Sequence, residues 1–248
     1  MSAFNKTNKP LIISIEGNIG SGKSTIIEKL ENSFGDIRDK IVLLKEPVGV
    51  WETIKDHATG ENILEKFYKN QEKYAFPFQV MAYASRLTMI RNAIQENPNC
   101  SVIICERSLE ADKNIFANML HDDGLIEDIN YQIYSSFCKE YARDFGLDGI
   151  IYIDADAEVC HNRINKRSRQ GEGGISLEYL QKCKKYHDKW LIKVLSPDTN
   201  TILFDDSPHI LRIETNQDVS YDINDPNDIG NLWLEMICNF VKQQINNK

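Results

Sequence analysis

Residues 11–16, Leu-Ile-Ile-Ser-Ile-Glu, run straight into Gly17-Asn18-Ile19-Gly20-Ser21-Gly22-Lys23-Ser24-Thr25. The first six form a short apolar run closed by glycine, the pattern of a buried strand. From Lys23 to residue 34 the spacing is helical. Gly17, Gly22, Lys23 and Ser24 satisfy G-x-x-x-x-G-K-[ST], and a strand before with a helix after is the context that this phosphate-binding loop requires. Its glycines let backbone N–H groups turn inward on phosphates. The start of the helix adds the positive end of its dipole. In such a loop the lysine reaches the outer phosphates and the hydroxyl of Ser24 ligates Mg²⁺. A plain glycine turn has no use for Lys-Ser-Thr, so the expectation is a phosphotransferase with an ATP-type donor.

Outward from this loop, strands are expected at 41–44, 101–106, 149–154 and 210–214, and helices at 61–74, 77–96, 111–121, 128–145, 157–166, 177–194 and 229–245. Pro47 ends the second strand, because it cannot donate to a ladder. Residues 167–174, Arg-Ser-Arg-Gln-Gly-Glu-Gly-Gly, read as a loop between two helices. Strands alternating with helices predict an α/β fold, a five-stranded parallel sheet covered on both faces, in one domain spanning 1–248. Ligands of such sheets sit at the carboxyl ends of the strands. Gly17, Glu46, Glu106 and Asp154 all fall at that edge.

The chain has 248 residues, 42% of them hydrophobic, enough for one substantial core. Its net charge of −8 excludes the basic footprint that nucleic acid demands and argues against an anionic membrane surface. An anionic ligand must therefore be held by a local cluster of positive groups. The six cysteines are dispersed without a paired metal-ligand spacing, which points to free thiols in a reducing compartment. No apolar run approaches the ~20 residues needed to span a bilayer, and residues 1–10 carry no apolar leader pattern. A soluble cytoplasmic protein is expected.

Several side chains carry candidate chemistry. Glu46, in Lys-Glu-Pro at the tip of the second strand, is placed to take a proton from a hydroxyl. Glu106 could hold Mg²⁺ or its waters, and Arg107 could steady an acceptor. Taken alone, each could equally be a surface carboxylate or an ion pair at a strand end. Arg163, Arg167 and Arg169 suit a lid over phosphates, residues 163–176, since arginine forks bind phosphate oxygens in pairs; a solvated basic helix end is the plainer alternative. Phe76, Phe78, Tyr83 and Phe116 could be core aromatics. Gln79 on an apolar helix face is harder to dismiss, because a buried amide costs stability unless it is paired. Asp-x-x-Gly and Asn-Lys-x-Asp segments are missing from the sequence, so a regulatory GTP switch is a weak rival.

At these positions the sequence resembles the deoxynucleoside kinase family, in its deoxycytidine and deoxyguanosine kinase branch. The matching pieces are EGNIGSGKST at 16–25, KEPVGVW at 45–51, FPFQ at 76–79, Ser85-Arg86, Glu106-Arg107-Ser108, RINKRSRQGEGGISLEYL at 163–180 and SPHILRIETN at 207–216. They follow family order over roughly residues 10–220. The resemblance implies a P-loop kinase fold with an arginine-rich lid, a homodimer, and transfer of a γ-phosphate from ATP or another nucleoside triphosphate, with Mg²⁺, to a deoxynucleoside 5′-hydroxyl. It implies Glu46 as general base and Arg107 against the hydroxyl. Gln79 would read the base edge, Phe78 and Phe116 would stack on the base, and Trp51 and Ile19 would wall the pocket. Tyr68 and Glu172 would hold the sugar 3′-hydroxyl. Ala82, Arg86 and Asp112 match the trio that separates cytosine and purine acceptors from thymine. Asp218 and Val219 fall where the family contacts the donor's adenine.

Three departures stand out. Lys113 occupies a position where the family often has arginine, keeping charge but losing the fork. The lid is richer in glycine than the family pattern, and the polar stretch 218–228 is longer. A thymidylate-type monophosphate kinase would need a site for the acceptor's own phosphate, and Glu46 with Glu106 predict an acceptor end too negative for one. A catalytically silent nucleotide-binding subunit would lack a base and a metal ligand.

Overall fold

The computed structural model describes residues 9–142, 144–167, 174–191 and 208–247. Five strands, β1 (Leu11–Gly17), β2 (Ile41–Leu44), β3 (Val102–Glu106), β4 (Gly149–Asp154) and β5 (His209–Glu214), lie in the order β2-β3-β1-β4-β5. Every pairing is parallel, and β1 sits at the centre with Ile13 opposite Ile104 on one side and Ile15 opposite Ile151 on the other. This is the expected α/β sheet. Its central strands are continuous apolar runs because both faces are covered. Leu11, Ile13 and Ile15 pack on α1 (Lys23–Leu30) and α10 (Ile229–Asn246), through Ile26, Ile27, Leu30, Trp233, Ile237 and Val241. Ile12, of opposite parity, packs with Tyr83 and Ile90 of α4 (Gln71–Glu96) and Tyr134 of α7 (Asp128–Ala142). Each fully buried isoleucine contributes about 1.5–3 kcal/mol by leaving water.

The helical expectations needed revision where capping outranks periodicity. The stretch 61–74 is not one helix. α3 (Ile63–Lys69) opens on a capping box, with Asn62 accepting from the Glu65 N–H and Glu65 returning to the Asn62 N–H. Asn70 ends it and caps α4 through the Lys73 N–H. Pro77 therefore lies inside α4 rather than at its start, at a site where the Lys73 carbonyl forgoes one helical bond. A short α2 (Val48–Thr53) follows Pro47 and was not foreseen. α1 stops at Leu30, before residue 34.

The expected helix 111–121 begins earlier. Ser108 accepts from the Ala111 N–H and starts α5 (Leu109–Ala111), which passes into a π-helical turn, Asp112–Ala117, and then α6 (Asn118–Asp122). α8 (Ala157–Arg167) and α9 (Leu177–Leu191) flank the lid sequence. Arg169 and Glu172, expected in the site, lie outside the described residues. Among the described residues no helix is long and apolar enough to cross a membrane, and all six cysteines are free thiols.

The loop after β1 fits its surroundings tightly. Gly20 has φ 81, and a Cβ there would lie 2.6 Å from the Cys160 carbonyl oxygen and 2.9 Å from Ile164. Gly22, at φ 101, has open space instead. Gly20→Ala should thus lower stability by about 1–3 kcal/mol, and by more than Gly22→Ala, which bears the backbone cost alone. Urea unfolding of both variants checks this; equal midpoints would show that the packing against α8 has slack.

Candidate active site

The loop, the carboxyl ends of β2 and β3, α4 and the π turn enclose one cleft of about 510 Å³, within the usual range for ligand pockets. Residues 19–25 of the loop line it, together with Glu46, Trp51, Tyr68, Phe78, Gln79, Ala82, Arg86, Glu106, Arg107, Asp112, Phe116, Arg163, Arg167, Asp218 and Val219. Nearly every candidate thus converges on one place. Gly17 and Asn18 stand behind it. Gly17 lies against the Ile153 carbonyl, and buried Asn18 donates to the Leu180 carbonyl at 2.9 Å, tying the loop to α9.

The Glu-Arg-Ser sequence at the end of β3 supplies three different contacts. Glu106 Oε1 accepts from Ser24 Oγ at 2.7 Å, and its Oε2 accepts from the Glu46 N–H at 3.4 Å. Ser108 Oγ donates to Glu16 Oε1 at 2.5 Å; burial still pushes the Glu16 carboxyl up. Arg107 has φ 63, a left-handed backbone rare outside glycine. That turn sends its guanidinium to the Gly17 carbonyl at 3.0 Å and Glu46 Oε1 at 3.3 Å, with its carbon 4.7 Å from the Phe116 ring centroid.

Arg86, fully buried, donates to Asp112 at 3.0 and 3.3 Å, to Glu46 at 3.1 Å and to the Glu106 carbonyl at 2.8 Å. Burial works to raise the Glu46 pKa, but Arg107, Arg86 and Lys23 outweigh it and hold the carboxyl below its ordinary value. For Asp112 the balance reverses, and burial pushes it up despite Arg86. The expectation of a strongly negative acceptor end is corrected here. Glu46, Glu106 and Asp112 are met by Arg86, Arg107 and Lys23. The obstacle to an acceptor phosphate is instead that both guanidinia are already engaged.

Gln79 is buried, and its Oε1 has no partner among the described residues. It shares the α4 face with Ala82 and Arg86, three and seven residues on. Phe78 stacks on Phe67 at 4.6 Å and meets Trp51 edge-on at 5.5 Å. Tyr83 belongs to the core, against Tyr134, whereas Phe78 and Phe116 line the cleft. Arg163 is held by Asp218 at 3.1 Å and by the Gln217 carbonyl at 2.7 Å, which joins α8 to the stretch after β5.

Thr215, Tyr221 and Trp233 also line the cleft and were not foreseen; Thr215 falls within SPHILRIETN without an assigned role, and Tyr221 and Trp233 lack a motif and reach the loop only through the fold after β5. A metal fits the donor set. The Ser24 hydroxyl and the Glu106 carboxylate, in contact with each other, are the one or two hard oxygens that Mg²⁺ takes from protein beside phosphates.

The sequence profile of the deoxynucleoside kinase family matches residues 13–239. The chain belongs to that family. It is a kinase by family as well as by loop. It is 36% identical over 181 residues to a probable deoxycytidine kinase of fowlpox virus, covering 72% of this chain and 71% of that protein. Against the bovine deoxycytidine kinase identity is 34% over 224 residues, covering 83% and 84%. A mitochondrial deoxyguanosine kinase of Xenopus laevis is 29% identical over 205 residues, 76% of each chain.

Within this kinase the charge on Lys23 has a measurable signature. Burial and the nearby Arg107 lower its pKa to about 8. The ammonium form is the one that attracts phosphate, so above about pH 8 triphosphate binding must take up a proton. Affinity for ATP should fall up to tenfold per pH unit there. Calorimetry from about pH 7 to 9.5 in buffers of different ionisation heat measures both effects; flat affinity without proton uptake would contradict the assignment.

Proposed function

We propose that this kinase transfers the γ-phosphate of ATP, or another nucleoside triphosphate, to the 5′-hydroxyl of deoxycytidine and of purine deoxynucleosides, in nucleotide salvage. The observation that carries the reading is the meeting in one cleft of a phosphate loop, a carboxylate and a buried amide whose oxygen has no partner among the described residues. Gln79 gives its amide to the edge of the base, and Phe78 and Phe116 take its faces. Tyr68 borders the sugar; Glu172 is assigned to the 3′-hydroxyl by resemblance alone. Glu46, ionised at neutral pH because three cations surround it, receives the proton of the 5′-hydroxyl. That oxygen bonds to the γ-phosphorus as the bond to the β,γ-bridging oxygen breaks, and the nucleoside diphosphate leaves. Lys23 and the loop amides hold the phosphates; Arg107 orients the hydroxyl, and Arg163, Arg167 and Arg169 meet the charge that spreads over the transferred group. Mg²⁺, held by Ser24 and Glu106, supplies neutralisation of phosphate charge.

Base choice follows from Asp112, an acceptor fixed by Arg86. Cytosine and adenine offer it an exocyclic amine, and guanine relies on the single Arg86 N–H, on Nη1, beyond the four hydrogen bonds that engage the rest of the guanidinium. Thymine offers a carbonyl and a methyl group, and a site of buried polar groups rejects an analogue that leaves them unpaired. The reading includes one domain over 1–248 and a cytoplasmic location. It also includes a homodimer, for which Ile129 and Ile133, exposed one turn apart on α7, offer apolar surface.

The deciding experiment offers the four deoxynucleosides and their monophosphates with ATP and Mg²⁺. Phosphorylated deoxycytidine, deoxyadenosine and deoxyguanosine are expected, with thymidine much poorer. Product from monophosphates alone, or a preference for thymidine, would overturn the substrate reading. Arg86→Met with Asp112→Ala should admit thymidine at some loss of kcat, since Arg86 also holds Glu46.

For the base itself, Glu46→Gln keeps the shape and removes the proton acceptor. A fall in kcat of about 10²–10⁴ is expected, with nucleoside affinity largely retained. Near-normal kcat in this variant would exclude Glu46 as the base.

A further inference from the structure

The stretch between β5 and α10 is organised around one carboxylate. Asp228 Oδ2 accepts from the Ser220 N–H at 3.2 Å, the Ser220 hydroxyl at 2.5 Å and the Asp222 N–H at 3.1 Å. Its Oδ1 caps α10 at the Gly230 N–H, 2.8 Å away. Tyr221, between the two residues so held, has φ 55, again the left-handed backbone that non-glycine residues rarely adopt. Its ring lines the cleft with Thr215, Val219 and Trp233. Trp233 meets it edge-on at 6.4 Å, and the Lys29 ammonium lies 5.7 Å from its centroid. This group adjoins the phosphate loop through Thr215, whose hydroxyl donates to the Ser21 carbonyl at 3.4 Å.

Gly230 makes room for the ring. A Cβ there would stand 2.8 Å from Tyr221 Cδ1 and 2.8 Å from Asp228 Oδ1. Asp228, Gly230 and the backbone at Tyr221 are therefore mutually adjusted. What they fix in the cleft is an aromatic surface beside the loop.

We propose that Asp228 is a positioning residue for the phosphate donor: it pins Tyr221 so that Val219, Tyr221 and Trp233 form an apolar wall against which the base of the nucleoside triphosphate rests. The inference rests on the proposed function only in taking a nucleoside triphosphate as the ligand. The wall offers ring and methyl surface rather than a set of directed donors, so it holds the base by contact area. The phosphates are gripped separately, by the loop.

The test uses the full chain and two probes, ATP and inorganic tripolyphosphate, which fills the loop but has no base. Asp228→Asn leaves one oxygen for a single set of partners and turns an NH₂ group on the other set. Calorimetry should show the ATP Kd of this variant raised about tenfold, about 1.4 kcal/mol, with the tripolyphosphate Kd unchanged. Tyr221→Ala, which leaves the Asp228 contacts in place, should show the same split and decides the matter if Asp228→Asn does not fold. Equal weakening of both probes, or unchanged ATP affinity, would overturn the proposal. A wild-type chain that binds ATP but phosphorylates no deoxynucleoside would sink the proposed reaction, while the comparison of the two probes would still judge the wall.

Discussion

The buried Arg86 guanidinium is the constraint on which the active site turns. A charge taken out of water is tolerated only when its hydrogen bonds are met nearby, and losing one partner of such a group typically costs about 3–5 kcal/mol. Arg86 meets this demand by recruiting side chains and a carbonyl from the ends of β2 and β3 and from the π turn, while standing on α4 itself. Four elements distant in sequence are thereby held at one point. Glu46 is ionised and aimed because of it, and Asp112 is fixed as an acceptor. Gln79 lies two turns before Arg86 on the same helix face, so its place in the cleft is set by the same anchor.

Around this anchor, among the described residues, the backbone of a non-glycine residue enters the left-handed region twice, at Arg107 and at Tyr221. Such residues cost about 1–3 kcal/mol each and persist where their surroundings over-determine them. Arg107 is held by its own N–H to the Ile15 carbonyl, by Gly17, by Glu46 and by the Phe116 ring. Tyr221 is held by Asp228 on either side. The two sites of strain sit at parts of the cleft assigned to the acceptor and to the donor's base, while the strands between them follow ordinary parallel-sheet rules.

Much of this could be read in the sequence, for reasons that differ by residue. The order β1, loop, α1 was legible because apolar run, glycines and Lys-Ser are contiguous. Glu46, Glu106 and Arg107 were legible because strand ends in a parallel sheet share an edge. The break at Asn70 was not, since asparagine interrupts a helical pattern no more visibly than any polar residue, and Pro77 was misread as a start because proline favours first turns. Six residues of α2 are too few to show periodicity. Trp233 and Tyr221 could not be placed, because their meeting depends on Asp228 gathering a loop of mixed polar sequence. The longer stretch 218–228, unexplained as sequence, is accounted for by that gathering. Arg169 and Glu172 lie outside the described residues, and their roles rest on resemblance.

The π turn at Asp112–Ala117 has a further consequence for how this chain can vary. A π turn holds one more residue than the α-helical turn it replaces, and each residue advances a helix by about 100°. Everything from Asn118 onward is therefore rotated relative to Asp112 compared with an uninterrupted helix. Removing a single residue here would restore a regular hydrogen-bonding ladder and yield a sounder helix. It would also carry Phe116 away from Arg107, or Asp112 away from Arg86. At this point the chain length is itself a functional parameter: a deletion that helps the secondary structure dismantles the pocket.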